Sequence, residues 1–313
     1  GLNTGGFFDA GDFDIETGAN ISVVQNFVKT WEYFKPLRDQ TFVNQQQRYV
    51  DLHRPDGTPD VLQFIEHETR NLLAQAEIIG HMAQTLSNAV LDNYHHLGDA
   101  ASITDGLPYN PKLGPYEIAP DGKSSGVKDY MWAFTSRNAR LDLRAANMFA
   151  AASRALKGYN DDLAERALKQ SKRLLKEAND LLASQPQDNA GPGSAANMGT
   201  YLQLYIATSE QSSADKFLEL LWPALERNVS FNISTALDAI PYLNASYTEK
   251  LRPFVFRYKE YIDSLEKNNP YGVPIGLGNW AGSGEIVNFG TAVCFASKHF
   301  PDIDPYLFPA ASF

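Results

Sequence analysis

The sequence predicts an all-α protein built from helical hairpins, and three observations carry that prediction. Apolar residues recur at three- and four-residue spacing through most of the 313 positions. Runs of alternating polarity that would mark strands are nearly absent. The helical stretches come in pairs joined by loops of uneven length, without the fixed period of a solenoid. Roughly nine helices can be counted in this way, and paired helices with such connections describe an all-α toroid. With 43% hydrophobic and 12% aromatic residues the chain buries a sizeable core, as one large domain or two ordinary ones.

The first helix is expected over residues 21–35, where Val23, Val24, Phe27, Val28, Trp31 and Phe34 fall at helical spacing before Pro36 stops the run. A polar stretch rich in Gln and Asn follows. Thr58-Pro59-Asp60 then starts a long second helix with proline in its first position, and Leu62, Ile65, Leu72, Leu73, Ala76 and Ile79 form its buried stripe. Residues 88–132 are rich in Gly, Pro and Tyr without periodicity, which marks a long functional loop. From Ser136 the pattern is plainly helical. Residues 147–156 and 162–182 form a hairpin, the second arm burying Ala164, Ala167, Leu168, Leu174, Leu175, Ala178 and Leu181. A loop over 185–194 separates it from helices at 201–208 and 213–225. Ser246 and Glu249 read as a capping box for a helix reaching Leu265, with Pro253 expected to kink it or delay its start. A turn at Asn269-Pro270-Tyr271-Gly272-Val273-Pro274 leads past Trp280 to a closing helix over 285–299. The single cysteine, Cys294, reads as packing within that helix.

The chemistry gathers at the amino-terminal end. In Gly5-Gly6-Phe7-Phe8-Asp9-Ala10-Gly11-Asp12-Phe13-Asp14-Ile15-Glu16, acids recur at near-regular spacing, fenced by glycines and led by two aromatics. The small pair Ala10-Gly11 allows a tight turn, so that Asp9 and Asp12 can face one cavity. Crowded carboxylates cannot both ionise freely, and one of them then holds or polarises a water near neutral pH. Asp12, Asp14 and Glu16 do not make a calcium loop, because Thr17 and Val23 stand where an EF-hand has Gly and Glu. Glu16 and Thr17 are explained by capping the next helix; Asp9 and Asp12 are not.

This stretch resembles the Gly-Gly-aromatic-x-Asp-Ala-Gly-Asp signature of glycoside hydrolase family 9, the inverting cellulases and their relatives. The resemblance implies that Asp12 is the general base that activates water and that Asp9 helps to hold that water. It implies an (α/α)6 barrel of six helical hairpins. Phe7 and Phe8 replace the family's usual Trp followed by Tyr or His. The run from Asp56-Gly57-Thr58-Pro59-Asp60 to Leu72-Leu73 is similar to the family's Pro-Asp-Leu-Leu-Asp-Glu helix. Leu204-Tyr205-Ile206-Ala207-Thr208 is similar to its Leu-Tyr-x-Ala-Thr helix, and Tyr271-Gly272-Val273-Pro274 with Trp280 to a late turn. The family's His-x-Arg segment and its general acid follow that turn, so the resemblance implies one catalytic domain over 1–313, truncated at both ends. Glu285 and Glu117 are the internal acids to consider, with helix-dipole stabilisation the preferred reading of Glu285.

The substrate implied is a polysaccharide or oligosaccharide, β-1,4-glucan first, another β-linked glycan or an exo mode second, and a non-catalytic carbohydrate binder third. Phe8, Tyr109, Tyr116, Tyr130, Trp132 and Trp280 are the candidate sugar-stacking residues, since aromatic faces suit the apolar faces of pyranose rings. A net charge of −10 and a pI near 5.1 exclude a nucleic-acid groove or an anionic membrane surface and favour a neutral ligand. His95 and His96 are adjacent and do not converge on one helix face, so no metal site is expected. No cofactor is required, and a structural calcium is not readable from the sequence. No run of eighteen apolar residues marks a membrane span, and the resemblance implies a secreted, periplasmic or cell-surface protein. Asn-x-Ser sequons at Asn20, Asn228, Asn232 and Asn244 arise readily by chance in such a composition.

Overall fold

The computed structural model describes residues 2, 4–9, 14–44, 46–47, 49–88, 105–127, 131–184, 195–268, 270 and 283–303. The chain divides into two compact units, Gly1–Pro192 and Gly193–Phe313. Nine α-helices lie among the described residues.

The first unit holds α1 (Thr17–Phe34), α2 (Asp60–Ile78), α3 (Ala139–Leu156) and α4 (Asp161–Ser184). α1 ends where Lys35 turns left-handed, φ 45°, and returns its N–H to the Trp31 carbonyl before Pro36. Its buried residues are Thr17, Asn20, Ile21, Val24 and Val28, whereas Phe34 is 80% exposed, so the expected stripe runs true only in its first half. In α3, Asn138 caps Arg140 and Leu141. Small residues such as Ala145, Ala146 and Ala167 let α3 and α4 approach closely enough for the Ser171 hydroxyl to donate to the Ala146 carbonyl at 2.6 Å. This is the hairpin expected from the sequence. The core of the unit includes Ile21, Val24, Ile65, Leu72, Leu143, Phe149 and Leu174.

Short strands, not read from the sequence, connect these helices. β1 (Ile15–Glu16), β4 (Thr85–Asn88) and β5 (Met131–Ala133) form an antiparallel sheet in the order β1-β4-β5, with Ile15 opposite Leu86 and Leu86 opposite Ala133. β2 (Phe42–Asn44) and β3 (Tyr49–Asp51) form a hairpin within the polar stretch. The expected loop over 88–132 is therefore closed at its two ends by strand pairing. Two to four residues per strand are too few for alternation to show.

The second unit holds α5 (Ala195–Thr208), α6 (Gln211–Arg227), α7 (Val229–Asp238), α8 (Ala245–Asn268) and α9 (Ser283–His299). They share a core that includes Phe217, Leu221, Ile233, Leu251, Val255, Val293 and Phe300. Sequence reading missed α7, a short helix begun by the Asn228 side chain accepting from Phe231 N. α8 runs unbroken through Pro253. That residue lies on the exposed face, where the carbonyl deprived of its partner meets water, while Leu251, Phe254 and Val255 keep the inner face packed. Asn244, rather than Ser246, caps α8, accepting from Tyr247 N at 3.2 Å. Cys294 is exposed, one position off the buried stripe of Val293 and Ala296, which corrects its assignment to the packing face.

Candidate active site

The amino-terminal motif is built against α1, α2 and the three-stranded sheet. Gly5 and Gly6 have φ +64° and +91°, a left-handed backbone that side chains oppose. A Cβ on Gly5 would stand 1.9 Å from the His67 carbonyl oxygen, and one on Gly6 would stand 3.0 Å from Ile15 Cδ1. Both glycines thus permit close approach to α2. His67 Nε2 lies 3.1 Å from the Gly6 carbonyl. Asn20 accepts from Phe7 N at 3.0 Å and donates to the carbonyls of Phe7 at 3.2 Å and Glu16 at 2.9 Å. Three bonds on one buried amide tie the start of the motif to its end, and they leave that sequon inside the fold. A second amide relay runs from Thr17 Oγ1 to Gln75 Oε1, from Gln75 Nε2 to Asn71 Oδ1 and from Asn71 Nδ2 to the Leu2 carbonyl. Thr17, expected to cap, serves this relay instead, and Glu16 stands at the N-cap without a side-chain bond.

The two aromatics after the glycines part company. Phe7 packs among Phe27, Phe64 and His67, with ring centroids 5.4 to 6.3 Å away. Phe8 is 45% exposed. Asp9 is exposed, and its N–H donates to the Asp14 carbonyl at 2.8 Å, joining the two ends of the segment that contains Asp12. Asp12, Tyr130 and Trp280 lie outside the described residues, as do His95 and His96 and the side chain of Glu285.

The sheet places one aromatic candidate, Trp132, two strands from the end of the motif. β1 begins one residue after Asp14, and Ala133 on β5 stands two strands away, roughly 10 Å across the sheet. Trp132, next to it, is 45% exposed and meets the half-buried Tyr109 ring with centroids 6.3 Å apart and planes tilted by 58°. Tyr116 is 84% exposed and has φ 68°. Glu117 fastens the turn that carries it, its carboxylate accepting from Gly114 N at 2.8 Å. Among the described residues no group of three or more His, Cys, Asp or Glu is placed to hold a metal ion, and no helix is long and apolar enough to cross a membrane.

Sequence reading missed Glu68. It sits on α2 three residues after Ile65 and four before Leu72, a carboxyl on the apolar stripe, and it is fully buried. Burial pushes it up to about 8 from an ordinary 4.5, with the Phe7 backbone offsetting part of the effect. Its two carboxyl oxygens are buried. Its position on the periodic pattern was the signal that could have found it.

Gly5→Ala should cost on the order of 3 kcal/mol, combining left-handed strain with overlap against backbone. Gly80→Ala, also left-handed at φ +89° but with nothing within 4 Å, should cost only about 1 kcal/mol. Thermal melts of the two variants compare them directly. Equal losses would mean that the contact with His67 contributes nothing.

No protein-family model matches the chain, and no curated protein matches it. Solved structures do. A metagenome-derived glycoside hydrolase family 9 endoglucanase is similar over 98% of this chain and 53% of its own, at 18% identity and a TM-score of 0.60. A single mutant of a thermostable endoglucanase from Alicyclobacillus acidocaldarius is similar over 98% and 56%, at 15% identity and a TM-score of 0.62. The C. cellulolyticium cellulase solved in complex with cellobiose is similar over 98% and 66%, at 13% identity and a TM-score of 0.54. The chain spans about half the length of the first two. Over that span it shares the all-α fold of part of the family 9 endoglucanase toroid, as its amino-terminal motif led the sequence reading to expect.

Proposed function

We propose that the chain is the base-bearing part of a family 9 glycoside hydrolase that cleaves β-1,4-linked glucan by single displacement with inversion. The observation that supports this most is the three-stranded sheet, in which β5, carrying the exposed Trp132, lies one strand beyond β4 from β1, and β1 directly follows Asp14. In this reading Asp12 takes the proton of a water on one face of the sugar while Asp9 holds that water. A separate acid protonates the leaving oxygen on the other face, with the carboxyls roughly 6.5 to 9.5 Å apart. Trp132, Tyr109, Tyr116 and Phe8 offer apolar faces to successive sugar rings, joined in the reading by Tyr130 and Trp280. One catalytic domain over 1–313, acting outside the cytoplasm and without a required cofactor, completes the proposal.

The test is hydrolysis of cello-oligosaccharides by the full native protein, with the anomers followed by proton NMR. Release of the α-anomer as first product is expected. Release of the β-anomer would overturn inversion, and binding without release would favour a non-catalytic carbohydrate-binding relative. Hydrolysis of a different β-linked glycan in preference would keep the chemistry and change the substrate.

Trp132→Ala should weaken cello-oligosaccharide binding by several-fold to about tenfold, since stacking contributes roughly 0.5 to 1.5 kcal/mol. Calorimetric titration measures it, and a thermal melt checks that the half-exposed ring is not simply pinning β5. A large fall in Tm with unchanged affinity would assign Trp132 to the fold.

A further inference from the structure

The second unit contains a cavity of about 440 Å³ formed where α5 ends, α6 begins and the chain enters α8. None of the residues assigned above to the glycan site lines it. Its volume lies within the range of small-ligand pockets, about 300 to 1,000 Å³. Its walls include the rings of Tyr205, Trp222 and Tyr242.

The walls are held in place by their own contacts. Trp222 stacks on Phe254 with centroids 5.9 Å apart and meets Tyr247 at 5.5 Å, while Lys250 Nζ stands 4.3 Å from its ring centroid. The Tyr205 hydroxyl donates to the Tyr242 carbonyl at 3.3 Å. Asn244 commits its Oδ1 to Tyr247 N and Ser246 Oγ, which leaves its Nδ2 hydrogens for another partner. Gln211 donates Nε2 to Asp215 at 2.9 Å and keeps its Oε1 as an acceptor.

The charge of the lining runs against that of the chain. With 37 acids against 27 Lys and Arg overall, the lining contains one ammonium and no carboxylate. Lys250, held over Trp222, therefore offers charged N–H donors with no acidic side chain in the lining to compete for them. Aromatic walls suit the apolar face of a pyranose. An ammonium and an amide N–H₂ in the same lining suit a carboxylate on that ring.

We propose that this cavity is a binding site for an anionic sugar, a pyranose carrying a carboxylate such as a hexuronate unit. Lys250 and Asn244 take the carboxylate, Gln211 accepts from a ring hydroxyl, and the exposed Tyr242 ring with Tyr205 holds the sugar face. The site is independent of hydrolysis.

The experiment is titration of the full chain with glucuronate, glucose and acetate, reading the indole ¹H–¹⁵N signal of Trp222 by NMR, assigned with Trp222→Phe. Glucuronate is expected to shift that signal saturably, at least tenfold more tightly than either glucose or acetate. Lys250→Gln should weaken glucuronate at least tenfold and Lys250→Arg should largely restore it. Tyr242→Ala, at a residue 39% exposed, should weaken glucuronate several-fold with little change in Tm. Absence of a saturable shift with glucuronate would overturn the proposal. So would acetate binding as well as glucuronate, which would reduce the site to charge alone, or glucose binding as well, which would remove the role of Lys250. If Lys250→Gln fails to fold, unchanged affinity in Tyr242→Ala would still overturn the proposal. Because binding is read directly, failure here is separate from failure of the hydrolase reading.

Discussion

Asp12→Asn is expected to lower the hydrolysis of cello-oligosaccharides by about 10²- to 10⁴-fold while leaving the fold intact, because a positioned general base contributes that much. The amide keeps the shape of the carboxylate and cannot accept the proton that water must lose. Before the segment that contains Asp12, Phe7 N donates to Asn20 on α1, and His67 on α2 meets the Gly6 carbonyl. Asp9→Asn should cost less, since water can still be bound through the amide. Steady-state kcat on cellopentaose, beside a thermal melt, measures both. Near-normal turnover in Asp12→Asn would remove Asp12 as the base, and a larger loss at Asp9 would exchange the two roles.

Glu68→Gln is expected to stabilise the protein at neutral pH and to flatten its dependence on pH. The carboxyl is fully buried and titrates at about 8 in the folded chain, against 4.5 for an ordinary glutamate. The folded state therefore binds more protons than the unfolded state between those values. Stability is greatest below the lower value, falls by roughly 1.4 kcal/mol per pH unit through the window and levels off above the upper one. At pH 7 the loss is on the order of 3 kcal/mol. The amide removes the titration and keeps the size, so the slope between pH 5 and 8 should shrink by about one proton. Urea melts across that range measure it. Parallel slopes in the two proteins would show that Glu68 is not buried as described.

The local code and the packed structure account for different parts of this protein. Helix positions were legible because an amphipathic period of 3.6 and end signals such as Pro36 are local, and α3 and α4 fell close to where the pattern put them. The amino-terminal motif was legible for the same reason, as its glycines and acids are contiguous. The sheet was not, since Ile15, Leu86 and Ala133 come from segments far apart in the sequence and no local pattern specifies their pairing. Spacing gave no means of separating Phe7, packed beside Phe64, from the adjacent Phe8, whose side chain is 45% exposed. Pro253 illustrates the same division: a local rule breaks the helix there, yet burial of Leu251, Phe254 and Val255 on one face outweighs one missing hydrogen bond on the other. Residue order alone thus carried the class of fold and the candidate base. Which side chains are buried, which approach one another and which carboxyl changes its proton affinity depended on long-range contacts, because desolvation and packing are properties of the neighbours a residue acquires in space.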